Sequence, residues 1–319
     1  MVNTVRQAGV LDVGCHSALL TVARRRAGVA MEEVLSRKVR LQLHETLDAT
    51  GRLDKSGVRS VQRAVAETLA ENRGALPEVY AFATSVIRDA PNRDEVLAQV
   101  ASATGTRLRV MSGEEEARLA YVAARHWAGE RAGSLLVLDI GGGTVEVASG
   151  MSKQPRTAHS LPLGARTVTR AWKLDEAVSS KRRLAEVRDH LSDRLAEVAD
   201  LPRADPDGRV LACSKTFTQL ARYTTAGRDR SAPSQRLTLD EVRAAVRVLA
   251  KNGSAGRGRL PGISRHRAGQ SLAGALVAEA LMEACRATSV EISPWSTREG
   301  LLLERLGALR TKSAGAVQL

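Results

Sequence analysis

One seven-residue pattern occurs twice in this chain, and the interval between the copies constrains the fold more than any other feature. Leu11-Asp12-Val13-Gly14-Cys15-His16-Ser17 returns as Leu138-Asp139-Ile140-Gly141-Gly142-Gly143-Thr144, 127 residues further on. Each copy follows a short apolar stretch (Ala8 to Leu11; Leu135 to Leu138) and precedes a β-rich one (Ala18 to Val22; Val145 to Ala148). Apolar runs on both sides of a glycine turn predict a hairpin. Glycine lets the backbone approach a ligand closely, and successive amides form a nest for an anion. An Asp at the strand end can hold a cation that neutralises that anion. A single copy would be an ordinary hairpin turn. Two copies at domain spacing predict two similar lobes gripping one phosphate chain, and 319 residues suit two domains of roughly 150 each.

Between and after the hairpins, strands alternate with helices, which predicts α/β architecture. Strand-like Val79 to Thr84 leads through Ser85 to Arg88 into a helix from about Asn92 to Thr104. Leu108 to Met111 reads as a strand, followed by a helix from Ser112 to about Trp127. Val210 to Cys213 reads as a strand feeding a helix that begins near Lys215, where helix amides and the lysine can bind phosphate. A plain N-cap accounts for Ser214 equally well. Thr238-Leu239-Asp240-Glu241 has the capping-box pattern before a helix to about Ala250. The stretch 252–267 is rich in Gly and Arg and reads as a loop. Its Arg257, Arg259, Arg265 and Arg267 are either solvated charge or a basic track. A helix over 268–287, a strand over 290–292 and a helix from Thr297 to about Leu309 close the chain, with a disordered tail expected over 311–319.

Bulk properties narrow the function. The net charge of +13, most of it arginine, points to a polyanionic partner, because the planar guanidinium binds phosphate oxygens in pairs. Only 3% of residues are aromatic, which leaves little on which to stack bases. With no helix-turn-helix or zinc-finger spacing, no nucleic-acid partner is expected. The three cysteines, Cys15, Cys213 and Cys285, are far apart and exclude a disulfide scaffold. No apolar run approaches the roughly 20 residues of a membrane span, and no signal core precedes Asp12, so a cytoplasmic protein without membrane contact is expected.

Five further segments complete an ordered set with the first hairpin. They are Ala83-Thr84-Ser85-Val86-Ile87-Arg88, Ser112-Gly113-Glu114-Glu115-Glu116-Ala117, Asp139 to Glu146, Ser160-Leu161-Pro162-Leu163-Gly164-Ala165 and Ser214-Lys215-Thr216-Phe217. With Arg298-Glu299-Gly300-Leu301-Leu302, this order resembles the exopolyphosphatase/guanosine-pentaphosphate phosphatase family over nearly the whole chain, most of all the short actinobacterial exopolyphosphatases. The resemblance implies the two-lobed actin-like (sugar kinase/heat-shock chaperone ATPase, ribonuclease H-like) fold with a cleft between the lobes. Lobe one is expected over 1–130 plus a C-terminal helix at 301–310, and lobe two over 131–300.

The resemblance also implies a hydrolase that removes terminal phosphate from inorganic polyphosphate with Mg²⁺ or Mn²⁺. The 5′-phosphate of guanosine pentaphosphate is the alternative substrate, and a homodimer is expected. Water must attack phosphorus, so a base, a metal and donors for the equatorial oxygens are needed. Three carboxylates at a helix start usually just favour the helix dipole. Here Ser112 and Glu115 form a Ser-x-x-Glu capping box, which gives Glu115 a structural task, while Glu116 points about 100° further round. By its place before Ala117, Glu116 also matches the glutamate with which the family activates water; Glu115 is the fallback. Asp139 matches the metal-binding aspartate, with Asp12 and Glu146 as acids near the phosphate. Arg88 carries over as a phosphate clamp. Gly14, Ser17, Ser85, Gly141, Gly142, Gly143, Thr144, Ser214 and Lys215 would complete the cradle.

Two departures stand out. The family usually has Ser-Asn where this chain has Cys15-His16, and Gly269 follows Arg267-Ala268 where an acid is usual. Losing the amide and hydroxyl bears on rate and substrate, and keeps open a feebly active polyphosphate-binding regulator. His16 alone, without a second ligand in view, carries little weight as a metal site. An ATP-using kinase of the same fold would lack the Glu116-type helix.

Overall fold

Both copies of the repeat fold as antiparallel hairpins, and each nucleates its own sheet. Strand β1 (Arg6–Val13) pairs with β2 (Ser17–Arg25). After them come β3 (Glu32–Arg40), α1 (Lys55–Ala70), β4 (Val79–Ala83), α2 (Ser85–Arg88), α3 (Arg93–Thr104) and the short β5 (Arg109–Val110). The strand order is β3-β2-β1-β4-β5, antiparallel on the β3 side and parallel on the β5 side. The computed structural model describes residues 6–25, 31–70, 76–129, 131–178, 180–226 and 236–307. The expected tail over 311–319 lies outside them.

The second sheet repeats that plan. The elements are α4 (Gly113–Ala128), β6 (Leu135–Ile140), β7 (Val145–Gly150), β8 (Thr157–Leu161), α5 (Ala165–Trp172), α6 (Lys181–Ala196), β9 (Arg209–Ala212) and α7 (Lys215–Thr224). Then follow β10 (Arg236–Thr238), α8 (Leu239–Ala250), α9 (Ser254–Arg257), α10 (Ser271–Ala284) and β11 (Ser289–Ile292). Strands β8-β7-β6-β9-β11 match the first sheet strand for strand, with β10 added antiparallel at the far edge. The chain divides into two units, Met1–Met111 with Arg298–Leu319, and Ser112–Thr297. Most of α11 (Thr297–Arg305) therefore belongs to the first unit.

Side-chain alternation assigns each face of the second sheet. Leu136, Leu138, Ile140, Val145 and Val147 enter the large core with Phe217, Leu249 and Leu276. Leu135, Val137 and Ala148 face the other way, onto Ala117, Ala120, Tyr121 and Ala124 of α4. Small residues let this helix lie close to the strands. Buried Arg125 then locks it, donating to Tyr121 Oη at 2.8 Å and to the Gly150 and Gly133 carbonyls at 2.9 and 2.8 Å. This packing is why the units divide at 111/112, whereas the sequence placed the boundary near residue 130. The first unit has its own core of Leu11, Val13, Leu20, Val61, Val65, Ile87 and Val100.

Stretch 252–267 differs from the expected open loop. It holds α9 and leads into a 3₁₀ turn at Arg265–Gln270, and Arg257 is fully buried. Its guanidinium donates to the carbonyls of Leu249 at 2.9 Å and Glu176 at 2.7 Å, and also to that of Leu174. Burial depresses its pKa to about 10. Arg257 is thus a structural cross-brace and no part of a basic track. The Thr238–Glu241 capping box forms as read.

Candidate active site

Because residues 135, 137 and 139 share one face of β6, Asp139 points to the side that α4 covers. Register makes the rest of the row: Asp139 lies opposite Glu146 on β7, and Glu146 opposite Ser160 on β8. Directly paired residues have Cβ atoms about 5 Å apart. Ser160 Oγ donates to Glu146 Oε1 at 3.0 Å, and Ser296 Oγ to Asp139 Oδ2 at 2.7 Å. The start of α4 is pressed onto this row. A Cβ on Gly113 would stand 2.1 Å from Ser160 Oγ, so only glycine fits. Glu116, one turn into α4, thereby comes close enough for its charge, like that of Asp139, to act on Glu146. Burial raises the Glu146 pKa well above the carboxylate range, and Glu116 and Asp139 push it further. Burial likewise raises Asp139 to about 6, against the opposing effects of the Ser296 hydrogen bond and the Arg267 charge.

At the start of α4 the expected capping box forms on one side only. Ser112 Oγ does accept from the Glu115 amide, at 3.1 Å. The Glu115 carboxylate does not return to Ser112; Arg118 takes both its oxygens at 2.7 and 2.8 Å. The cap is one-sided, and Glu115 is held in a surface ion pair.

The turn between β6 and β7 is closed by the Gly141 amide donating to the Thr144 carbonyl at 2.9 Å. Its outward carbonyls are all claimed by the start of α5. Gly164, Ala165 and Arg166 amides donate to Gly143, Gly141 and Gly142 oxygens at 3.0, 3.0 and 2.9 Å. A Cβ on Gly164 would stand 2.3 Å from the Gly143 carbonyl carbon, so the clamp also demands glycine there. Among the described residues the Gly142 and Gly143 amides donate to no protein acceptor, which suits an anion nest. The start of α7 is tied to the same strand end by Thr216 Oγ1 donating to the Ile140 carbonyl at 3.0 Å. Lys215 there is exposed. Ser214 is buried as the α7 N-cap, accepting from the Phe217 amide at 3.2 Å. Arg267 joins the site through its charge on Asp139, a residue that sequence left among solvated arginines.

The first unit builds its hairpin on the same backbone. The Gly14 amide donates to the Ser17 carbonyl at 2.9 Å, and Ser17 opens β2. Asp12 Oδ1 is enclosed and, among the described residues, has no hydrogen-bond partner. Burial raises its pKa to about 6, while Arg298 pulls it down and Glu299 adds to the rise. Ser85 begins α2, and Arg88 donates to Asp89 at 3.0 Å and the Met111 carbonyl at 3.1 Å. The turn carbonyls are again clamped from outside: Leu43 donates to Cys15 and Leu41 to His16, at 3.0 and 2.8 Å. This clamp carries His44, which sequence reasoning did not connect with His16. Neither Ser160 nor Ser296 was read as a partner of the acids; cross-strand register was the missing signal for Ser160.

Hard oxygen donors held close together suit a divalent cation such as Mg²⁺, which needs only one or two carboxylates besides water and phosphate oxygens. The Asp139 charge acts unfavourably on an ionised Glu146. Asp139 and Glu146 therefore gain from a proton or a cation between them, and the donor set fits the latter.

The Ppx/GppA phosphatase family model matches residues 21–309. The chain is 42% identical over 304 residues to Exopolyphosphatase 1 of Mycobacterium tuberculosis, covering 93% of this chain and 88% of that protein. A Ppx/GppA family member from Aquifex aeolicus superposes with a TM-score of 0.79 at 24% identity, over 97% of this chain and 100% of that one. An exopolyphosphatase from Cytophaga hutchinsonii does so with a TM-score of 0.82 at 17% identity, over 96% and 99%. The fold is the actin-like α/β fold that the motifs implied. Among the described residues no helix is long and apolar enough to cross a membrane.

Proposed function

This chain belongs to the Ppx/GppA phosphatase family, and from that premise we propose that it is an exopolyphosphatase, hydrolysing the terminal phosphoanhydride of inorganic polyphosphate. One observation carries the reading within the molecule: the Asp139–Glu146–Ser160 row lies against the Glu116 end of α4. Water attacks the terminal phosphorus, the bridging P–O bond breaks with its electron pair staying on the shortened chain, and orthophosphate carrying the water oxygen is released. The attacking water loses a proton, which needs an ionised base within reach. Glu116 fills that role, since the first turn of a helix favours negative charge. Burial and the charges of Glu116 and Asp139 push the Glu146 pKa up, and a cation held there with Asp139 would favour its ionised form. The Gly142 and Gly143 amides, with Thr144 and Lys215, meet the oxygens on which charge develops. In the first unit Gly14, Ser17, Ser85 and Arg88 form the corresponding anion-binding set. Asp139 and Glu146 would hold Mg²⁺ or Mn²⁺, which supplies positive charge to phosphate oxygens.

The net charge of +13 supports a polyanionic substrate. Affinity for long polyphosphate should weaken steeply with added salt, as neutralised phosphates release counterions. A flat salt dependence counts against a polyanion. The direct test measures phosphate release from polyphosphate, guanosine pentaphosphate and ATP side by side, with and without Mg²⁺ or Mn²⁺. Polyphosphate should be fastest and activity should require the cation. A preference for guanosine pentaphosphate would move the substrate, and release from ATP alone would sink the reading. A homodimer belongs to the same reading; light scattering on the assay sample checks it.

A further inference from the structure

Among the described residues, the one set of three potential ligand atoms from His, Cys, Asp or Glu lying mutually within 4.8 Å is Cys15, His16 and His44. We propose that these three side chains bind one zinc-class ion at the first hairpin. The ligand types fit, since thiolate with imidazole selects zinc over magnesium or calcium. The geometry fits too. Tetrahedral zinc with bonds of about 2.3 Å to sulfur and about 2.05 Å to nitrogen spaces those atoms about 3.6 Å apart. Cys15 Sγ lies 3.6 Å from His44 Nδ1. The His16 and His44 rings stand 5.2 Å apart, tilted by 41°, so neither blocks the other. Bringing all three atoms onto one ion takes about 1 Å of side-chain movement.

The backbone holds the set ready. Cys15 is buried and in no disulfide. The two clamp bonds fix the segment before His44 against the turn, and Leu41 and Leu43, both buried, anchor it. With His44 Nδ1 toward the thiol, Nε2 faces Glu45 Oε1 at 3.8 Å, and Gln42 holds that carboxylate at 2.9 Å. A carboxylate behind a ligating histidine is the usual outer partner that sets its tautomer. Three protein ligands leave a fourth position for water. Binding converts the Cys15 thiol to a zinc thiolate and releases its proton to solvent. The site differs in kind from the all-oxygen site at Asp139.

The test uses the full chain in excess Mg²⁺, which occupies oxygen sites. Zinc affinity is read by competition with a chromophoric chelator, and Co²⁺ serves as the spectroscopic probe. One zinc per chain should be retained, and Co²⁺ should give a thiolate charge-transfer band in the near ultraviolet. That band should vanish in Cys15→Ser and persist in Cys213→Ser. Losing an outer partner alone weakens metal binding about 10- to 100-fold, so His44→Gln should cost at least roughly 100-fold. X-ray absorption of the zinc-loaded wild type needs no variant: one sulfur and two nitrogens should surround the ion. A shell of nitrogen and oxygen only, a cobalt band that survives Cys15→Ser, or equal zinc affinity in wild type and His44→Gln would each overturn the site.

Discussion

Asp12 and Asp139 end equivalent strands, yet Glu146 stands across from Asp139 while Leu19 stands across from Asp12. The backbones agree closely. Each turn is closed by a glycine amide on the carbonyl three residues ahead, and each is clamped from outside by the segment that follows the third strand of its sheet. The side chains have diverged. The second hairpin gathers acids with glycine amides that, among the described residues, donate to no protein acceptor, the arrangement on which the proposed hydrolysis rests. The first replaces two of those glycines with Cys15 and His16, and its clamp brings His44 to meet them. One scaffold, used twice, thus offers a hard-oxygen site in one unit and a thiol-imidazole site in the other. Fold repetition shows where a ligand can sit; the side chains decide which ligand.

The largest effect should come from the acidic side of this contrast. Glu116→Gln keeps the shape and removes the base, and should lower the rate of phosphate release 10²- to 10⁴-fold. Glu115→Gln loses an exposed ion pair and should cost no more than about 0.5 kcal/mol of stability, with the rate nearly unchanged. The reverse pattern in the two variants would break the assignment.

Next comes Asp12, whose pKa burial raises to about 6 from an ordinary 3.8. The folded state binds this proton more tightly than the unfolded chain, so stability falls as pH rises from about 4 to about 6 and levels off beyond. At about 1.4 kcal/mol per pH unit the ceiling is about 3 kcal/mol. Asp12→Asn should flatten that part of the curve, measured by urea unfolding with chelator present at pH 4.5 and pH 7. Equal slopes in wild type and variant would mean that Asp12 is not the buried charge described.

The smallest concerns the thiol-imidazole turn. Cys15→Ser with His16→Asn restores the hydroxyl and amide usual in the family, and should speed phosphate release up to about tenfold in excess Mg²⁺ with a zinc-selective chelator, because a thiol is a weak donor. A slower double variant would show that Cys15 and His16 themselves serve the phosphate.

Sequence legibility followed the same divide. The hairpins, the α7 start and the α8 cap could be read because each rests on local spacing. Strand β3 could not: Glu-Glu-Val-Leu-Ser-Arg-Lys-Val-Arg is an exposed edge with no clean period. Helix α6 is also polar on most of its surface and buries only Val187, Leu191 and Leu195. Helix α1 does show an apolar period at Val58, Val61, Val65 and Leu69, so it was open to reading. In the candidate site, Glu116 and Asp139 stand out through motifs. Ser160, Ser296 and His44 do not, because strand register and chain return bring them in. Arg257 was misjudged because glycine-rich surroundings look solvated until the carbonyls around the guanidinium are known.

The clamp on the glycine turn has a consequence for how a phosphate is met. A free glycine peptide flips easily, and a loop of three would spend much of its time with carbonyl dipoles turned toward an incoming anion. Tying the Gly141, Gly142 and Gly143 oxygens to the first turn of α5 forbids those flips. The Gly142 and Gly143 amides are thereby fixed in advance, and an anion bound to them would require no reorganisation of the turn. Selection follows from the same stiffness. Anions whose oxygens match the fixed amide spacing would be accepted, and others would gain nothing from a loop that cannot adapt.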